Sequence, residues 1–314
     1  MDTRLLAGGT QTARPPGPPA RSGAASSGCA CARSQVSQRL DRTARLLGSD
    51  AMDRLAAAHV VVLGVGGVGS FAAEALVRAG VGRVTLVDGE RVDETNANRQ
   101  LHALDGAFGE LKVVEMAARL ARVNPAAQVD ALPELYCAAS AERLVPPGAS
   151  FVVDAMDTVV AKLHVIQRCL ELGIPIVTSL GAARRLDPTA IQVTDLCESH
   201  TDQLAKDVRK YLRRRHGISA AEPTGVLAVW SVETPRETLA LPGDEGGVPG
   251  ARRRAPEERR RDPKVYGSAA FVTGAFGLAA AAAVVQRLTG VAPRTHRVLS
   301  EKEEARRRKR PRGR

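Results

Sequence analysis

Residues 60–88 read VVVLGVGGVGSFAAEALVRAGVGRVTLVD, and this stretch decides the fold. Val60 to Leu63 is a short β-branched run of the kind buried on both faces of a sheet. It leads directly into GVGGVGS and then into the helical pattern FAAEALVRAG, which ends at Gly80 and Gly82. A second strand, VTLVD, closes the unit at Asp88. The order strand, glycine turn, helix, strand makes a weak motif informative. Gly64, Gly66 and Gly69, with Gly67 added, let the backbone approach a phosphate, and the helix start beyond them offers unpaired N–H groups and a positive dipole end. Asp88 is placed to accept hydrogen bonds from a pair of ribose hydroxyls. To this point a dinucleotide-dependent dehydrogenase accounts for the residues equally well.

The next stretch, VDGERVDETNANRQLHA with Lys112 beyond it, separates the readings. A dehydrogenase has no need of an arginine and a lysine here, whereas a triphosphate has several charges to neutralise. Arg99 and Lys112 are suited to that task and to stabilising in-line transfer at the α-phosphorus, with Asn96 and Gln100 as orienting groups. Asp157 follows the strand FVVDAMD, on the side where open parallel sheets bind ligands. It is the candidate Mg²⁺ ligand, with phosphate and water completing the octahedron, while Asp154 reads as structural.

Outward from the core motif the alternation continues: a helix from about Leu111 to Val123, a strand around Val129 to Leu132, FVVDAMD, a helix from Ala161 to Leu172 and the strand IPIVTSLG. This predicts an α/β fold with a Rossmann-like, mostly parallel sheet flanked by helices. Beyond Gly181 the texture changes, and IQVTDL and GVLAVWSVE are expected to form a smaller antiparallel part. The uncharged run Ser268 to Val285 reads as a C-terminal apolar helix buried in the core rather than as a membrane span, because Ala and Gly contribute little transfer energy.

The expected organisation is therefore a disordered extension over 1–38, an adenylation domain with its sheet extension over 39–241, a flexible crossover or insertion over 242–264, the helix over 265–290 and a basic tail over 291–314. The extension has Asp2 as its one acid through Ser37, a composition similar to an organellar transit peptide but without a clear amphipathic helix. Cys29, Cys31, Cys137, Cys169 and Cys197 form no CxxC pair, which argues against a zinc ribbon and fits a reducing compartment. A cytoplasmic location is expected, an organelle being the alternative.

The net charge of +11 points to an anionic partner, although much of it sits in the tail from Arg306 to Arg314. In AKDVRKYLRRRHG, helical spacing gathers Lys206, Arg209, Lys210, Arg213 and Arg214 largely along one side, a candidate phosphate track, with Tyr211 and Trp230 as candidate base-stacking residues or plain core aromatics. The other reading of the helix is a solvated surface.

GVGGVGS, LVDGERV, TNANRQ, Lys112 and DAMD occur in an order that resembles the adenylation domain shared by ubiquitin-activating enzymes and the ThiF and MoeB proteins, over about Arg39 to Val193. RTARLLG, NRQLHAL, FVVDAMDT, LDPTAIQVTDL and the late GAFG are similar to the tRNA threonylcarbamoyladenosine dehydratases in particular. The resemblance implies a homodimer that uses ATP and Mg²⁺ to adenylate the threonyl carboxylate of the modified nucleoside, after which cyclisation expels AMP. It also implies that Arg42 reaches into the partner subunit's ATP site, and it makes a monovalent cation a further candidate cofactor. The competing expectation is an activating enzyme for a ubiquitin-like or sulfur-carrier protein, with Cys197 as a conceivable nucleophile. Ala228 stands where some similar dehydratases have cysteine, which favours direct cyclisation.

Overall fold

A seven-stranded sheet with strand order β3-β2-β1-β4-β5-β7-β6 organises the chain. The computed structural model describes residues 37–219, 221–239 and 266–292. The crossover expected over 242–264 lies outside the described residues, as do nearly all of the N-terminal extension and the basic tail.

Two short helices, α1 (Asp41–Leu47) and α2 (Ser49–Ala57), lead into β1 (His59–Leu63). The order continues as α3 (Gly69–Ala79), β2 (Arg83–Val87), α4 (Lys112–Val123), β3 (Gln128–Leu132), α5 (Ala141–Leu144), β4 (Phe151–Asp154), α6 (Val159–Leu172) and β5 (Ile176–Ser179). The chain then runs through β6 (Ile191–Asp195), α7 (Gln203–His216), β7 (Leu227–Ser231) and α8 (Ala270–Thr289).

Alternation along the strands divides the core into two layers. Val60 and Val62 face α2, α3, α4 and α8, joining Leu76, Met116, Phe276 and Val284. Val61 and Leu63 face the other side, where Leu144, Ile166, Val208 and Leu212 come from α5, α6 and α7. The sheet is thus covered on both faces, which suits aliphatic strands without polar alternation.

One sequence expectation needs correcting. The strand written as FVVDAMD stops at Asp154, because the Asp154 side chain turns back to accept from Met156 N at 3.1 Å and ends the ladder. IQVTDL and GVLAVWSVE form the expected smaller antiparallel part, β6 pairing antiparallel with β7 at the sheet edge, and β7 in turn pairs in parallel with β5. The burial pattern gives the reason, since β7 is almost wholly buried whereas β6 has Gln192 and Val193 exposed.

Helix α8 is long and apolar enough to cross a membrane, but half of that stretch is buried inside the protein. It packs against α3 through Gly274 and Gly277, where an added Cβ would strike the Phe71 ring and the Val68 carbonyl respectively. Small residues at this spacing let two helix backbones approach closely, so the last helix braces the start of the first crossover helix.

Candidate functional site

The sheet order places a topological switch point between β1 and β4: the chain winds outward from β1 to β2 and β3 on one side, and from β4 to β5 on the other. Ligands of open α/β sheets bind in the crevice beyond the strand ends at such a point. Here the loops after β1 and β4 touch each other. Gly64 has φ +84°, and a Cβ on it would come 2.9 Å from the Ala155 carbonyl oxygen, so only glycine fits this turn. Gly69 starts α3 directly over the Gly64 carbonyl, where a side chain has no room.

Gly66 and Gly67 have a different surrounding. An added Cβ on Gly67 would lie 3.2 Å from Arg99 Cγ, and one on Gly66 would have only Gln100 Nε2 in reach, at 3.9 Å. Two of the predicted side chains therefore lie beside Gly66 and Gly67; space is open at Gly66, whereas Thr273 Oγ1, 3.1 Å from a Cβ placed on Gly67, closes that position. No side chain caps α3; Ser70 N already donates to Gly66 O at 3.0 Å, so an anion would be met by the other N–H groups of the first turn. Gln100 is buried, and its Oε1 has no partner among the described residues. A buried amide oxygen of this kind calls for a donor from a ligand or a water.

Asp88 braces the turn. Its two oxygens accept from Val65 N at 2.8 Å and from Glu90 N at 2.9 Å, which fixes the carboxylate at the mouth of the site. Asn96 is also structural in part, because its Oδ1 accepts from Asp93 N at 3.2 Å in a reciprocal cap of the short turn Glu94–Asn96. That turn presents Arg99, whose guanidinium donates to Thr95 O at 2.8 Å and Asn98 Oδ1 at 2.9 Å. Lys112 opens α4 with only 4% of its surface exposed, and its ammonium pairs with the largely exposed Glu90.

Sequence reasoning gave no role to His102, which is buried with neither ring nitrogen partnered among the described residues. Burial, followed by the charges of Lys112 and Arg119, pulls its pKa down to about 4, so the ring is neutral at pH 7. Lys162 was also passed over. Its ammonium is fully buried and donates to Asp154 Oδ2 at 2.9 Å, Thr178 Oγ1 at 3.3 Å and Ser179 O at 2.7 Å. Asp154 is thus structural, as its sequence context implies, and anchors the loop that carries Asp157. Asp157 itself is exposed, and among the described residues its Oδ1 meets the Thr158 hydroxyl alone, at 3.3 Å. The described residues hold no group of three or more His, Cys, Asp or Glu side chains able to bind a metal, so a Mg²⁺ here would take Asp157 as one of few protein ligands and keep its waters.

Farther out, Arg42 lies exposed on α1 with no hydrogen bond or ion pair among the described residues. On α7, Ala205, Val208 and Leu212 are buried, while Lys206, Lys210, Arg213 and Arg214 face solvent. Arg209 does not join them freely, because its guanidinium turns inward to donate to the Ser199 carbonyl. Of the two readings of Trp230 the core one holds: it is 3% exposed, and its indole N–H donates to Thr194 Oγ1 at 3.0 Å. Tyr211 stays partly exposed, with Lys210 and Arg215 over its ring. The Cys197 thiol is pushed up by desolvation and by Asp195, which makes it a poor nucleophile.

The model of the ThiF family matches residues 40–312. The chain belongs to the ThiF family. Among ThiF-family relatives, the tRNA threonylcarbamoyladenosine dehydratase of Bacillus subtilis (strain 168) is 47% identical over 189 residues, covering 60% of this chain and 72% of that protein. The enzyme of the same name from Escherichia coli (strain K12) is 38% identical over 260 residues, covering 82% and 96%. The crystal structure of the E. coli dehydratase in complex with ATP superposes with a TM-score of 0.69 at 36% identity, covering 81% of this chain and 94% of that one.

Proposed function

We propose that this ThiF-family chain is an ATP-dependent tRNA threonylcarbamoyladenosine dehydratase. The observation that carries the reading is the cluster at the switch point: Arg99 over Gly67, Gln100 beside Gly66 with its oxygen unpartnered, and the β4 loop packed on Gly64. The chain also covers nearly the whole of an E. coli relative bearing that name, and of its ATP-bound structure.

In this reading the triphosphate lies on the glycine turn, with the first N–H groups of α3, Arg99 and Lys112 neutralising its charge. Asp157 would hold Mg²⁺, which would supply further charge neutralisation. An oxygen of the threonyl carboxylate attacks the α-phosphorus and pyrophosphate leaves. A neighbouring atom of the same nucleoside then attacks the activated carbonyl carbon, AMP departs and a proton is released. The net change is loss of one water from the nucleoside. Because the attacking atom is already tethered to the substrate, its effective concentration is high and no enzyme nucleophile is required.

The same reading makes the protein a homodimer working in the cytoplasm. Leu46 and Leu278, 79% and 53% exposed, flank an apolar depression of about 500 Å³ between α1, α3 and α8. Covering it with a second copy removes apolar surface from water and brings α1, with Arg42, against the partner. Cys137, Cys169 and Cys197 are all free thiols, which suits a reducing compartment.

ATP–pyrophosphate exchange tests the substrate. Exchange that depends on tRNA carrying threonylcarbamoyladenosine is expected; exchange driven only by a sulfur-carrier protein would transfer the assignment to carrier activation. Arg42→Ala is expected to slow adenylation sharply with folding intact. Mixing Arg42→Ala with Lys112→Ala subunits should then restore turnover, because one mixed site keeps both cations. If the mixture stays inactive while mixed dimers form, Arg42 does not act across the interface.

A further inference from the structure

Beyond the nucleotide cluster, the described residues contain a polar cavity of about 530 Å³, whose lining includes Arg184, His200, Thr201, Asp202, Lys206 and Arg209. It lies between the loop after β5 and the connection from β6 to α7. The β5 loop leaves the same end of the sheet as the glycine turn, and β5 stands two strands from β1, roughly 10 Å away in the sheet.

Two features mark this cavity as built for a ligand. The first is backbone conformation. Among the described residues just two that are not glycine have positive φ, Arg184 at 62° and Thr201 at 59°, and both line it. Non-glycine residues persist in this region only where their surroundings over-determine them, and such positions gather at ligand sites. Arg184 is pinned from both sides, its N–H donating to Gly267 O at 2.8 Å and its carbonyl accepting from Arg236 N at 2.8 Å.

The second feature is charge. The Asp202 carboxylate in the wall is already compensated: buried Arg185 donates to it at 3.0 Å, Gly181 N at 2.9 Å and Ala205 N at 2.7 Å. What remains facing the cavity is cationic. Lys206 is exposed, and its ammonium has no partner among the described residues. The Arg184 guanidinium is held 4.8 Å over the Tyr266 ring, a contact that orients it without neutralising it. Arg209 adds its charge while donating to Ser199.

We propose that this cavity is a phosphodiester site. It takes the sugar–phosphate backbone of the substrate tRNA beside the nucleoside being adenylated, with Arg184 and Lys206 as the cations that neutralise it. The proposal rests on the tRNA reading above and adds to it. A strand presenting its reactive carboxylate at the glycine turn passes this cavity with a neighbouring phosphate, and the outer basic face of α7 lies farther along the same track. Arg184 is held in a costly conformation because its charge is needed there.

Arg184→Gly and Lys206→Glu in the full-length protein test this. Glycine accepts the left-handed conformation, so Arg184→Gly should not lower the thermal midpoint. Affinity for tRNA carrying the modified nucleoside is measured over a salt series, with ATP affinity in parallel. Each variant is expected to bind tRNA several-fold more weakly and to lose about one unit from the salt slope, at wild-type ATP affinity. Wild-type tRNA affinity and slope in both variants overturn the proposal while leaving the adenylation reading standing. Loss of binding to inorganic phosphate alone, with tRNA binding intact, also overturns it, by assigning the cavity to a free anion. Failure of the wild-type protein to bind tRNA would remove the adenylation reading as well, so the two failures are distinguishable.

Discussion

Replacing Lys112 with alanine is expected to lower ATP–pyrophosphate exchange by about 10²- to 10³-fold, as removal of a single preorganised charge-stabilising donor does. Lys112 begins α4 almost wholly buried, so its long stem reaches the mouth of the site through protein rather than through water. The ammonium is held in place by Glu90. Truncation therefore acts twice, since it removes a cation from the phosphates and leaves the Glu90 carboxylate facing them uncompensated. Lys112→Arg should rescue poorly, because a 4% exposed position has no room for a wider guanidinium. The change in folding stability should be small beside the loss of exchange, as Glu90 is 65% exposed and water screens it once the lysine is gone. Exchange within threefold of wild type would exclude Lys112 from the chemistry.

The second large effect concerns stability. Lys162→Met is expected to destabilise the protein by about 3–5 kcal/mol, read as a lower denaturant midpoint, since it strands a fully buried carboxylate without its cation. Every proton of the ammonium is used, on Asp154, Thr178 and Ser179, and the Thr178 hydroxyl also donates to Asp154 Oδ2 at 2.6 Å. The network ties the ends of β4 and β5 together beneath the Asp157 loop. Adding Asp154→Asn to Lys162→Met should recover a large part of the loss, because the second change removes the uncompensated charge. If the double variant is no more stable than the single, the cost lies in packing rather than in the charge.

The sequence made the nucleotide half of the molecule legible because its signals are local. A β-branched run, a glycine turn and a helical period follow one another within residues 60–88, and Arg99, Gln100 and Lys112 stand in one short stretch beyond. What escaped were pairings between residues far apart in the chain. Nothing periodic marks Lys162 as the partner of Asp154 and Ser179, and an isolated lysine early in a helix reads as a solvated charge. Arg209 matches the basic side of α7 in spacing, yet the Ser199 carbonyl, left open by the preceding turn, captures it. The place of β7 between β5 and β6 was hidden for a related reason: strand order depends on which edges remain open once α7 has packed, and the chain pattern does not encode that. Its continuous apolar run LAVWS, against the polar IQVTD of β6, was the available clue to an interior strand beside an edge strand.

Helix α8 adds a constraint on timing. Thr273 and Gly277 press on the glycine turn at Gly67 and on the backbone at Val68, although more than 200 residues of chain separate the two partners. During synthesis the phosphate-binding turn emerges early but lacks its supporting wall until the segment after Ala270 has left the ribosome. A nascent or truncated polypeptide ending before that segment should therefore fail to retain ATP, and nucleotide capture would report completion of the chain.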